Sequence, residues 1–144
     1  MSCEVNFYQC EDLIIKSLAP ILLKILEEKK KVLIFVNDEA KIKELDGALW
    51  TYGRSKFIPH ITIFDEDFDL NRQPILISNK KENSNNADYL VFLSELPLDF
   101  IANFNRAFYF FDEANVDEAK LISKTIKPKN CYKKENLKWT KFSF

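Results

Sequence analysis

The chain has 144 residues, of which 47% are hydrophobic and 30% charged, and its formal net charge is −1. A chain of this length buries a continuous core as one domain, and the balance excludes disordered, fibrous and low-complexity architectures. There are only two glycines and one histidine, against thirteen phenylalanines.

Those scarcities exclude chemistry. Gly47 and Gly53 cannot build a Walker A or G-x-G-x-x-G loop, which needs several positions that tolerate positive φ and close phosphate approach. His60 alone gives no multi-histidine metal site, and Cys3, Cys10 and Cys131 lack C-x-x-C spacing. The odd cysteine count, with no signal-like start and no apolar run near about 18 residues, predicts a cytoplasmic protein with reduced thiols and no membrane anchor.

In chain order, Glu4 to Gln9 alternates as a short strand. Ile14, Leu18, Leu22 and Ile25 then recur at helical steps, predicting an amphipathic helix over 11–29, kinked at Pro20. The continuous apolar run Val32 to Val36 reads as a buried central strand. Asn37 or Asp38 can cap a second helix whose inner face is Ile42, Leu45 and Leu49. Further strands are predicted at Ile61 to Phe64, Ile75 to Ile77, Tyr89 to Leu93 and Phe108 to Phe111. The acidic Asp65 to Asp69 and polar Lys80 to Asn86 segments read as solvated loops. Acidic Asp112 to Glu118 then opens a helix carrying Ala119, Leu121, Ile122 and Ile126. Alternating strands and helices predict an α/β sheet.

Residues 120–144 hold eight lysines and one acid, Glu135, interleaved with Tyr132, Trp139, Phe142 and Phe144. Lysines among aromatics suit either phosphates with stacked bases or an acidic peptide with an apolar end. The blander reading is a helix with a solvated face, and an overall pI of 5.9 weighs against broad DNA binding.

No serine has the glycine-flanked turn of a hydrolase nucleophile. His60, without a partner motif, reads as a hydrogen-bonded strand-edge residue rather than an acid or base. The Asp65 to Asp69 loop lacks the glycine and distal glutamate of a calcium loop. Trp50 and Phe57 flank a turn containing Tyr52, Gly53, Arg54 and Lys56, and serve equally well as core closure or as exposed interface anchors.

The run Lys31-Val-Leu-Ile-Phe-Val-Asn-Asp-Glu, followed by Leu45-Asp46, Ala48-Leu49-Trp50 and Phe57-Ile58-Pro59-His60, resembles the chi subunit of bacterial DNA polymerase III holoenzyme. The likeness continues through Gln73-Pro74-Ile75-Leu76-Ile77, Ala87-Asp88-Tyr89-Leu90-Val91 and Phe104-Asn105-Arg106 to the Phe108–Asp112 strand, and includes Val5-Asn6-Phe7-Tyr8.

The resemblance implies a single three-layer α/β domain over 1–144, with a mostly parallel, Rossmann-like sheet and no phosphate-binding loop. It also implies a non-catalytic clamp-loader accessory, without nucleotide, metal or other cofactor, at the replisome. The implied partners are the psi subunit, at Trp50 and Phe57, and the acidic C-terminal tail of single-stranded-DNA-binding protein, at Lys120, Lys124 and Lys127. Some family members offer the psi surface to a helicase-like repair protein, and nucleic acid is met mainly indirectly. Where the family often has arginine, Lys124 cannot form the planar bidentate carboxylate contact. The competing readings are direct single-stranded nucleic-acid binding and a nucleotide-dependent enzyme on this fold.

Overall fold

Strand β1 (Glu4–Gln9) takes the predicted bounds, in a computed structural model that describes residues 3–52 and 57–144. It leads into helix α1 (Ile14–Glu27), whose Leu18, Ala19, Leu22 and Ile25 are buried. The helix runs through Pro20 and starts later than periodicity suggests. The Asp12 carboxylate accepts the Leu13 N–H at 2.8 Å and pairs with Lys16 at 2.7 Å, which holds Leu13 outside the helix.

Strand β2 (Val32–Phe35) is buried throughout, as a central parallel strand covered on both faces must be. Helix α2 (Glu39–Thr51) is capped by Asp38, which accepts the Ala40 N–H at 2.9 Å, and buries Ile42, Leu45 and Leu49. Strands β3 (Ile61–Thr62), β4 (Ile75–Ser78), β5 (Tyr89–Phe92) and β6 (Arg106–Phe111) follow, with a short helix α3 (Leu98–Ile101) between the last two. Helix α4 (Val116–Ile126) ends just before Lys127 and Pro128, and strands β7 (Asn130–Glu135) and β8 (Lys138–Phe142) complete the chain.

The eight strands form one sheet in the order β3-β4-β2-β5-β6-β1-β7-β8, parallel except for the β7–β8 pair. α1 and α2 cover one face, against Ile34, Ile77, Val91 and Phe110. α4 and α3 cover the other, against Phe7, Leu33, Phe92, Tyr109 and Phe111. Alternation along β6 sends Tyr109 and Phe111 to one core and Phe108 and Phe110 to the other. The result is the expected three-layer α/β architecture.

Three expectations are corrected. The lysine- and aromatic-rich end is helical only to Ile126; from Asn130 it is a β-hairpin, not a helix with a solvated face. β7 gains ladder bonds from β1 and seats Cys131 in the core, an outcome that requires a distant strand edge. Strand β3 stops at Thr62 because Asp65 accepts the Thr62 N–H at 2.7 Å and its own N–H bonds the Thr62 carbonyl, turning the chain. The Lys80 to Asn86 segment is not wholly solvated: Asn85 is buried, its amide donating to the carbonyls of Val32 at 3.0 Å and Gln73 at 3.1 Å.

Candidate interaction surfaces

The first surface is built around His60. The ring is buried, with Nδ1 2.7 Å from the Ile58 carbonyl and Nε2 2.9 Å from the Asp46 carboxylate. It is thus the bonded structural residue the sequence suggested, but its Asp46 partner was not legible as a local motif. The available signal was helical spacing: Asp46 and Trp50 stand one turn apart on α2 and so share a face.

The Trp50 ring packs 4.7 Å from the His60 ring and 5.4 Å from the Phe57 ring, centroid to centroid. Both large aromatics nevertheless face solvent, Trp50 at 56% exposure and Phe57 at 65%. Of the two readings left open by the sequence, the structure brings the pair together as an exposed patch rather than as core closure. The intervening Gly53, Arg54 and Lys56 lie outside the described residues. Aromatic groups held from below by a bonded ring present apolar area with little conformational freedom left to lose on docking.

The second surface is α4. Its first turn carries Asp117 and Glu118 and its last turn Lys124, charges that complement the helix dipole. Lys120 and Lys124 lie one turn apart and are both exposed, and Leu121 stands beside them at 65% exposure. Lys127 is the helix C-cap in a left-handed conformation, φ 53°. Among the described residues none of these three lysines forms an ion pair.

Other members of the basic end are already occupied. Lys129 reaches Glu4 at 2.8 Å and Arg106 reaches the same carboxylate at 3.2 Å, tying β7, β1 and β6 together. The Lys129 hydrogen bond, helped by the Lys129 and Arg106 charges, holds the Glu4 carboxyl below its ordinary range. Lys133 pairs with Glu135, and the Lys134 ammonium sits 5.5 Å above the Trp139 ring.

The thiols are muted. All three cysteines are free and buried, and burial pushes the Cys3 and Cys10 thiols up to about 11. In the acidic loop, Asp65 is spent on the Thr62 turn and Asp69 on the Asn71 N–H and Arg72.

Comparison with known proteins places this geometry. The sequence model of the DNA polymerase III chi subunit, HolC, matches residues 2–129, ending where β7 begins. A probable DNA polymerase III subunit chi from Rickettsia prowazekii is 33% identical over 88 residues, 61% of this chain and 52% of that protein. The DNA polymerase III subunit chi of Pseudomonas aeruginosa is 33% identical over 76 residues, 53% of this chain and 51% of that one. The chain thus spans about half the length of the curated relatives it matches. Since the family match runs from β1 through α4 and takes in both surfaces, the chain belongs to the DNA polymerase III chi subunit family.

Proposed function

We propose that this protein is a non-catalytic adaptor of the replication machinery, which holds the psi subunit at Trp50 and Phe57 and the acidic tail of single-stranded-DNA-binding protein at Lys120, Lys124 and Lys127. The observation that carries this reading is the placement of two unlike surfaces on opposite sides of one sheet. α2 belongs to one helical layer and α4 to the other, so two partners can be held at once without colliding.

The chemistry of each surface suits its partner. Paired exposed aromatics in a polar surround are the kind of anchors that dominate a protein interface. Exposed lysines beside Leu121 suit a peptide with carboxylates and an apolar terminus, and their attraction is screened over about 8 Å at physiological salt. Tethering needs no turnover: a partner already held raises the effective concentration of the second contact, so a modest tail affinity retains the assembly.

Calorimetric titration with psi and with a tail peptide tests both surfaces. Trp50→Ala loses about 2 kcal/mol or more of psi affinity and keeps tail binding, as expected of a hot spot. Lys124→Glu does the reverse. An unchanged affinity in either matched pair overturns the corresponding assignment. Direct single-strand binding is the second reading, favoured by the Lys134–Trp139 contact on the hairpin. It requires that labelled oligonucleotide bind this chain alone.

A further inference from the structure

A cleft lies apart from both of these surfaces. It has a volume of about 740 Å³ and opens at the carboxyl ends of β1, β5 and β6, between the start of α1 and the middle of α2. Strands β1 and β6 are neighbours, yet α1 leaves β1 toward one face of the sheet and α4 follows β6 onto the other. A crevice outside the carboxyl ends at such a reversal is where open α/β sheets hold their ligands.

The lining states what kind of ligand. Ile14, Leu45, Leu93 and Phe110 supply an apolar floor. The mouth carries Glu11, Asp12, Glu44, Asp112 and Glu113 against Lys41; of these, Asp12 is paired with Lys16, and Glu11 accepts the Asn136 and Leu137 N–H groups. Phosphate is excluded: the mouth repels it, no glycine lies in the β1–α1 turn, and the Asp12 carboxylate already occupies the Leu13 N–H where an anion would sit. Glu44 and Glu113 have no ion pair among the described residues.

We propose that this cleft docks a short basic segment of a partner protein, with an arginine or lysine flanked by apolar residues entering between α1 and α2. Charge complementarity names the class. The carboxylates come from three separate chain segments, and among the described residues no three acids converge as a metal ion would require. An extended chain can meet such dispersed charges while its apolar side chains cover the floor; one compact cation cannot. This inference does not depend on the roles given to Trp50 or Lys124.

The test titrates the full chain, labelled with 15N, with an acetylated and amidated peptide that alternates arginine with leucine and phenylalanine. Amide shifts are expected to cluster at 10–15, 41–48 and 109–115, and the glutamate counterpart of the peptide is expected not to bind. Glu44→Gln with Glu113→Gln, and separately Ala48→Phe, which fills the cleft, each weaken binding about tenfold. Glu66→Gln with Asp67→Gln in the remote acidic loop leaves it unchanged, which separates this site from general attraction to acid. If Ala48→Phe fails to fold, the Glu44 and Glu113 pair carries the comparison. Shifts centred on residues 65–69, equal binding of the glutamate peptide, or displacement by equimolar spermidine overturns the proposal.

Discussion

Replacing His60 by alanine measures how firmly the aromatic patch is held. The substitution leaves the Ile58 carbonyl, which now accepts at 2.7 Å, without its partner beside a side chain at 1% exposure. A buried polar group stripped of its hydrogen bond costs about 1–3 kcal/mol. Deleting a packed ring adds a cavity penalty of about 2 kcal/mol or more, since large-to-small core changes carry both transfer and void terms. The Asp46 bond adds little, because that carboxylate is a third exposed and water replaces its partner. The sum, about 3–5 kcal/mol, is a large share of the ~5–15 kcal/mol that domains possess. Urea unfolding of His60→Ala at neutral pH, followed by circular dichroism, reads this directly. The variant also withdraws the ring beneath Trp50, so under the proposed assignment psi affinity falls even where the protein remains folded. A stability loss below about 1 kcal/mol would refute the claim that a buried, doubly bonded imidazole anchors this surface.

Two further outcomes follow from the chain's other end. The β7–β8 turn places Asn136 at φ 49° and Leu137 at φ 66°, held by Glu11, which accepts both backbone N–H groups. Leucine in this region costs about 1–2 kcal/mol, and glycine returns part of that through a freer unfolded chain. With Leu137 at 84% exposure there is no burial to lose, so Leu137→Gly raises stability by about 0.5–1 kcal/mol in urea titration. A lowered midpoint sinks this account of the turn. The second outcome concerns Glu4, whose carboxyl is held below its ordinary value of 4.5 by Lys129 and Arg106. A lowered folded pKa stabilises above the unfolded value, and that contribution is lost as pH falls through the folded one. The stability gap between wild type and Glu4→Gln is therefore present at about pH 7 and shrinks toward about pH 3. A gap that does not vary with pH contradicts the pairing.

The two surfaces were unequally legible. Trp50 and Phe57 attract notice in sequence as bulky rings beside a polar turn, but that pattern fits core closure as well as docking. Their shared exposure decided between these readings, and it depends on His60 arriving from a loop to fill the space beneath. The lysines of α4 were legible as a charge run, whereas the engagement of Lys129 with Glu4 was not, because the two residues are 125 positions apart. The cleft left no sequence signal at all. Its acids come from three segments, and each alone reads as ordinary solvated polarity.

The sequence by itself determined the alternation of strands and helices, the inner faces of α1, α2 and α4, the Asp38 cap and the lack of any phosphate loop. These depend on neighbours within a few positions, where periodicity, capping groups and backbone freedom act. Only the tertiary structure decided the strand order, the conversion of the basic end into a hairpin, the burial of Asn85 and the union of Asp46 with His60. Each of those depends on which distant backbone edge or carbonyl is left unpaired once the layers pack. Local propensity cannot supply that information, because the energy of a strand edge or a buried polar group is set by partners far away in the chain.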